Sequence, residues 1–432
     1  MAYKVPFVEP TKVYRMIKNE LDAAYFAVMS NGDLIDRHQL RQFEENLAAF
    51  VGTKYAVGLN SGYDALHMSL RAAGIGPGDE VIVPAHTFVA TASAVVNVGA
   101  KPVLVDVGKD FNIDCDKIEE LIQFNIQHST FNIKAIIAVH LSGYMADMVR
   151  IMKIAEKYNL VVIEDACQSL GSSMKNNVEL GMLNAEFEDN NSKLKTQNSK
   201  LGDSVQGNVE LGMLNAKLKD NNSKLNIQNS TFARGAGAWG LTGCWSFYPF
   251  KILGGYGDGG AITTNDPDVA LFATRMRYNG EDRDTGEYHG HGFTCLLDNI
   301  QAAFLDVKLR YLPSWIIRRK EIAERYRTAL SDIPDLLLPH YDDPRRDHVY
   351  QNYTVRAKQG NDFSEYLKQN GVEVLTQFRK PYYRHEALNL EDRGFPETEA
   401  LSREVCSLPM NVEIDDEQVE YVIKVVRAFY KC

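Results

Sequence analysis

Lys251 lies in the stretch WSFYPFKILGGYGDGG, between an aromatic run that starts at Trp245 and five glycines that end at Gly260. A charged amine in such surroundings is paired, snorkels to solvent, or is used chemically. Four other stretches carry side chains that such a lysine could work with. Ser61-Gly62-Tyr63-Asp64 follows the apolar YAVGLN. Small residues opening a helix present backbone N–H groups to a phosphate, although a plain N-cap uses the same residue types. His86-Thr87-Phe88 follows EVIVPA, and Phe88 could stack on a flat ring or pack into a core. Asp165 closes LVVIED, with Gln168 three residues on, and a carboxylate behind that apolar run needs a cation nearby. Ser246 ends GCWS, five residues before Lys251.

The elements that must hold these residues alternate along the chain. A helical stripe (Val13, Ile17, Leu21, Ala24, Val28) opens it. KYAVGLN, EVIVPA, KPVLVDV, KAIIAVHL and LVVIEDA read as short apolar strands, with DALHMSLRAAG, FVATASAVVNVG and ADMVRIMKIAEKYN as helices between them. Such runs separated by helices predict a parallel sheet covered on both faces. In that architecture ligands sit beyond the carboxyl ends of the strands, where all the residues named above fall. A long helical pattern from Asp298 leads out of this unit, and HVYQNYTVRA (strand), FSEYLKQNG (helix), VEVLTQ (strand) and a helix near Asp415–Tyr430 follow. The expectation is an α/β fold with a large three-layer, mostly parallel-sheet domain over residues 1–315, including the N-terminal helix. A smaller C-terminal α+β domain spans 316–432.

One region breaks the alternation. NVELGMLNAEFEDNNSKLKTQNS (177–199) recurs as NVELGMLNAKLKDNNSKLNIQNS (208–230), with 18 of 23 positions identical. Two copies are too few for a solenoid, and the Asn/Ser/Lys-rich composition offers little apolar surface to offset ordering. The region at about 175–232 reads as duplicated inserted sequence, looped out on the surface and largely mobile, with a partner-binding arm as the alternative. FNIQHSTF, near 123–132, resembles part of the repeat and reads as a second, short insertion.

Bulk properties narrow the partners. The 432 residues carry a formal net charge of −10, which argues against nucleic acid or an anionic membrane. No apolar run approaches the roughly 20 residues of a membrane span, and the first residues lack a signal-peptide core. Six scattered cysteines without a CxxC pair read as free thiols of a cytoplasmic protein, and no metal site is expected.

Taken together, the strand-end residues describe pyridoxal phosphate. That cofactor needs a lysine amine for its Schiff base, a carboxylate against its pyridine nitrogen, donors for its phosphate and a face to lie on. The stretches GTKYAVGLNSGYDALHMSLRAAGIGPGDEVIVPAHTFVATASAV, VVIEDACQSLGSS and WSFYPFKILGGYGDGGAITTND resemble the DegT-type sugar-nucleotide aminotransferases, of the pyridoxal-phosphate transferase fold type I. LDNIQAAFL and FPETEALSREVCSLPMNVEI resemble the same family's later segments. The resemblance implies that Lys251 attaches the cofactor and shuttles protons, and that Asp165 faces the pyridine nitrogen. It places Gln168 at the phenolic oxygen, Phe88 on the ring, and Ser61, Gly62, Tyr63 and Ser246 around the phosphate. It implies a ping-pong reaction from glutamate to a nucleotide-linked keto-sugar, in a homodimer whose active sites are shared. Thr294, with His289 through Gly292, would be the part lent to the neighbour. Three departures stand out: Tyr63 replaces the family's threonine, and Thr294 and Leu296 replace its Asn-x-Arg. Two alternatives share the fold: a sugar dehydratase, which carries histidine in place of the lysine, and a non-catalytic regulator.

Overall fold

Strands form where the Val/Ile runs predict them, and seven of them join one sheet. They are β1 (Tyr55–Leu59), β2 (Glu80–Pro84), β3 (Lys101–Val105), β4 (Ile133–Val139), β5 (Val161–Asp165), β6 (Thr242–Ser246) and β7 (Gly260–Thr264). In the computed structural model their order is β1-β7-β6-β5-β4-β2-β3. β2 pairs in parallel with β3 and β4, β4 with β5, and β5 with β6. β7 runs antiparallel between β1 and β6. The structure describes residues 3–128, 132–175, 233–339 and 343–431.

Successive residues of β4 show why its sequence is apolar throughout. Ile136 and Ala138 enter one buried cluster, whereas Ala135, Ile137 and Val139 enter another. Both faces of the sheet are therefore covered, as the pleat requires of a continuous apolar run. The N-terminal stripe divides into α1 (Pro10–Met16) and α2 (Lys18–Asn31), because Ile17 leaves the helical region with φ −126° and ψ 28°. The first cluster joins α2, α3 (His38–Val51), α6 (Cys115–Gln127), α7 (Met148–Tyr158) and the first half of α9 (Asn299–Leu330). The second joins α4 (Gly62–Ala72), α5 (Val89–Asn97) and α8 (Pro267–Met276). The result is the three-layer α/β arrangement expected from the sequence.

A third cluster builds the C-terminal part. β8 (Leu336–Leu337), β9 (Tyr353–Ala357) and β10 (Val405–Leu408) form an antiparallel sheet in that order. It packs on the second half of α9 (Ile322, Tyr326, Leu330), on α10 (Gly360–Gln369) and on α12 (Asp416–Tyr430). α12 starts on a capping box of Asp415 and Gln418. α11 (Pro396–Glu404) leads into β10.

Two sequence expectations need correction. The strand expected across HVYQNYTVRA begins only at Tyr353, because Tyr350 takes a left-handed φ of 51° that no extended strand can contain. VEVLTQ contributes only isolated bridges, Val372 to Val5 and Leu375 to Ser407, instead of a strand.

Contacts divide the chain into Met1–Met174 with Arg234–Cys432, and Lys175–Ala233. Of the second unit only Lys175 and Ala233 are described, so both copies of the repeat lie outside the described residues. Near 123–132, α6 continues to Gln127, and 129–131 lie outside the described residues. Among the described residues no helix is long and apolar enough to cross a membrane.

Candidate active site

β1, β2, β5 and β6 all run in one direction, so the residues that follow them meet along one edge of the sheet. Asp165 is the last residue of β5 and is 7% exposed. Its Oδ2 accepts from Thr91 Oγ1 at 2.8 Å, and its Oδ1 accepts from the Cys167 N–H at 3.3 Å. Thr87 Oγ1 lies 3.1 Å from Thr91 Oγ1 and extends the hydroxyl chain. Among the described residues no cation pairs with this carboxylate. A buried carboxylate left in that state is costly.

Beside Asp165, α4 begins against β6. Ser61 caps the helix, its Oγ accepting from the Asp64 N–H at 3.1 Å and donating to Asp64 Oδ2 at 2.5 Å. The hydroxyl is thereby used as a cap, while the N–H groups of Gly62 and Tyr63 have no intrahelical partner. A Cβ on Gly62 would stand 2.7 Å from Cys167 Sγ and 2.9 Å from Ser246 Cβ. A Cβ on Gly260 would stand 2.2 Å from the Ser61 carbonyl carbon. Only glycine at both positions lets the helix start this close to the sheet. Gly62, Cys167 and Ser246 thus come together within two residues of Asp165.

Tyr63 commits its side chain to neighbours on α4 and α5. Its hydroxyl accepts from Asn97 Nδ2 at 2.5 Å, and its ring stacks on His67. With the phenol turned to Asn97 on α5, the backbone N–H of Tyr63 is the group left at the helix start for an anion. Phe88 stands 60% exposed at the N-cap of α5, so the core-packing alternative fails. His86 is buried and its pKa is pushed down to about 4 by that burial, which keeps it neutral. Gln168 Oε1 accepts from the Ser142 N–H at 2.7 Å, leaving its amide N–H groups to donate elsewhere.

Lys251 sits at the end of a tight turn, its N–H donating to the Tyr248 carbonyl at 2.9 Å. It is half-buried and makes no ion pair among the described residues. Burial drives the Cys167 thiol far above its ordinary pKa, and the Asp165 charge adds to this while the Lys251 ammonium opposes it. The lysine's charge is therefore felt two residues beyond Asp165. Behind the turn, Lys308 Nζ donates to the Gly254 carbonyl at 2.7 Å and lies 3.7 Å from the centroid of the Tyr256 ring. A cavity of about 240 Å³ opens there, lined by Phe250, Lys251, Lys308 and Arg319 but by none of the strand-end residues.

Thr294 stands apart. Its Oγ1 donates to Asn279 Oδ1 at 3.0 Å on an exposed segment, and the neighbouring Cys295 carbonyl accepts from the Asn60 N–H at 2.9 Å. Leu296 bridges to Leu59 at the end of β1. The segment lies against the sheet edge, with its threonine turned to Asn279.

Residues 15–188 and 219–427 match the model of the DegT/DnrJ/EryC1/StrS aminotransferase family. The chain belongs to that family. The stretch left unmatched, 189–218, falls inside the repeated region. The chain is 32% identical to a pleiotropic regulatory protein of Geobacillus stearothermophilus, covering 99% of each. It is also 32% identical to a dTDP-3-amino-3,4,6-trideoxy-α-D-glucose transaminase of Streptomyces venezuelae, covering 98% of this chain and 96% of that protein. Among solved structures, S. venezuelae DesV in complex with a ketimine intermediate superposes over 100% of both chains, with a TM-score of 0.82 and 31% identity.

Sequence reasoning missed three parts of this aminotransferase family member. Thr91 lies one helical turn after Phe88, and that spacing was the available signal. Cys167 lay inside the quoted stretch between Asp165 and Gln168. Glu164 is fully buried on the opposite face of β5 from Asp165. It accepts from the N–H groups of Gly237 (2.9 Å), Trp239 (2.7 Å) and Gly240 (2.8 Å) and from His140 Nε2 (3.0 Å). His140 Nδ1 in turn accepts from the Ala146 N–H at 3.2 Å, which fixes the ring's tautomer. The five described cysteines are free thiols, and burial raises Cys115, Cys295 and Cys406 to about 12.

Proposed function

We propose that the protein is a pyridoxal-phosphate-dependent aminotransferase that moves an amino group from glutamate to a nucleotide-linked keto-sugar. The observation that carries this reading is Asp165: a buried carboxylate at a strand end, oriented by a hydroxyl and an N–H, with no ion-pair partner among the described residues. A protonated pyridine ring is the cation it fits. The donor set fits the rest of the cofactor. The N–H groups of Gly62 and Tyr63, with Ser246 beside them, suit a phosphate, and the close approach that Gly62 permits keeps that corner open. Phe88 offers an exposed ring face, and Gln168 offers amide N–H groups to a phenolate-type oxygen.

When bound, pyridoxal phosphate supplies an electron sink for the substrate carbon. Asp165 keeps the pyridine nitrogen protonated by charge, and Thr91 keeps the carboxylate aimed. Lys251 Nζ anchors the cofactor and then takes and returns the proton at the substrate carbon. Lysine at this position supports the aminotransferase reading over a dehydratase, which would carry histidine there. Ser61 acts through the helix it caps, and Thr294 is proposed to act across a dimer, on the neighbouring subunit's cofactor.

The protein is proposed to work in the cytoplasm as at least a homodimer. Free thiols at all five described cysteines support the compartment. Exposed Tyr248 and Phe250, whose rings pack edge to face beside Lys251, support a surface covered by a second copy. The proposed domain division near 315 falls inside α9, whose first half (Leu305, Leu312) packs in the sheet's cluster and whose second half packs in the C-terminal one. The repeats are proposed to be dispensable, since loop closure costs only about 0.6 kcal/mol per doubling of length. Replacing 177–230 by a short Gly/Ser turn is expected to leave cofactor binding and sugar amination intact. A variant that binds cofactor but rejects the sugar would reverse that assignment.

The decisive test converts the protein to its pyridoxamine form and offers a panel of nucleotide-linked keto-sugars. At least one sugar is expected to return the absorbance of the aldehyde form, in a species that sediments as a dimer or larger. A panel that leaves the spectrum unchanged, with glutamate equally unable to drive the reverse half, rejects the reading.

A further inference from the structure

We propose that Gln351 is a positioning residue for Lys251, bracing the backbone on both sides of it; this rests on the function proposed above. Gln351 Nε2 donates to the Phe250 carbonyl at 2.9 Å, and its Oε1 accepts from the Ile252 N–H at 2.6 Å. A primary amide has one donor edge and one acceptor, so it pairs with the residues before and after Lys251 as a neighbouring strand would. The residue is 7% exposed, so little water competes for these groups.

The brace is itself anchored. Arg319, on α9, donates from Nη1 to the carbonyls of Tyr350 (2.9 Å), Gln351 (3.3 Å) and Met410 (2.6 Å). Tyr350 accepts the left-handed φ that turns the chain just before Gln351. The Val349 N–H donates to the Gly143 carbonyl at 3.1 Å, beside the Ser142 N–H that holds Gln168. The Asn352 N–H donates to the Ser142 carbonyl at 3.4 Å, so the turn at 142–143 holds Gln168 directly and the chain on either side of Gln351. Lys251 has a long flexible stem, so the place its amine can reach is set by how firmly its root is held. A misplacement of about 1 Å at a reacting group costs on the order of 10²-fold in rate.

Gln351→Met in the full chain keeps the volume and removes both hydrogen bonds. In the cofactor-free protein, amide exchange at Ile252 is expected to speed up by about 10-fold or more, the bond having gone. In the loaded enzyme kcat is expected to fall by about 10–100-fold, with KM for both substrates nearly unchanged. Gln351→Glu keeps the acceptor for Ile252 and loses the donor to Phe250. It is expected to retain the exchange protection and to fall between wild type and Gln351→Met in kcat. Wild-type kcat in Gln351→Met, or unchanged exchange at Ile252, overturns the proposal. Should Gln351→Met fail to fold, wild-type kcat in Gln351→Glu overturns it instead. The two readings fail separately: a wild-type protein without transamination defeats the function, whereas the exchange of the cofactor-free protein judges the brace alone.

Discussion

Borohydride treatment of the yellow, cofactor-loaded protein is expected to bleach it and to leave the reduced label on Lys251 alone. Lys251→Ala should lose roughly 10⁴-fold or more in kcat, the upper end of what a positioned acid–base group contributes, because it also loses the anchoring amine. The expectation follows from the surroundings of this lysine. Its turn is closed by the Tyr248 carbonyl, it has no carboxylate partner among the described residues, and its charge reaches the Cys167 thiol. Lys308, the other lysine at this loop, is unavailable: its amine is spent on the Gly254 carbonyl and the Tyr256 ring, although burial lowers its pKa to about 8. Peptide mapping after reduction checks the assignment. Label on Lys308 or elsewhere, together with a Lys251→Ala protein that still yellows and bleaches, would remove Lys251 from the chemistry.

The second large effect belongs to Asp165→Asn, where activity and stability should move in opposite directions. An amide cannot hold the pyridine proton by charge, so kcat is expected to drop on the order of 10²-fold or more while the cofactor still binds. In the cofactor-free protein the same change removes a buried carboxylate that has no ion-pair partner among the described residues. The Asn oxygen still accepts from Thr91, the long 3.3 Å bond from the Cys167 N–H is lost because the new amide NH2 cannot accept it, and the larger desolvation cost of the charge goes. Thermal unfolding of the cofactor-free variant should therefore occur at or above the wild-type temperature. A normal rate would discharge Asp165 from catalysis. A strongly destabilised cofactor-free variant would show that the carboxylate is a structural element rather than a waiting counter-ion.

Much of this was legible in the chain because strand ends are legible. Asp165, Ser246 and Ser61 each follow a short apolar run that could only be a covered strand or its continuation, and parallel strands deliver their ends to one edge. Lys251 stood out because its neighbours are of the wrong kind for a surface charge. Side-chain commitments were harder to read. Ser61 spends its hydroxyl on capping and Tyr63 spends its own on Asn97, facts that depend on partners 3 to 34 residues away. Thr91 offered only its spacing from Phe88 and Gln351 no local sign at all, since their value comes from Asp165 and from Phe250 and Ile252, 74 to 101 residues distant. The strand expected across HVYQNYTVRA was shortened for a backbone reason: one left-handed residue, Tyr350, is invisible to a pattern of alternating side chains.

Glu164 and Asp165 are adjacent in sequence yet serve opposite sides of the sheet, and that has a consequence for engineering. Three peptide N–H groups at 237–240 are fastened to Glu164 just before the chain enters β6, so the strand that ends in Ser246 is registered from the far face. Replacing the repeats, as proposed above, is therefore expected to leave the register of β6 in place, because the three N–H groups that set it lie at 237–240.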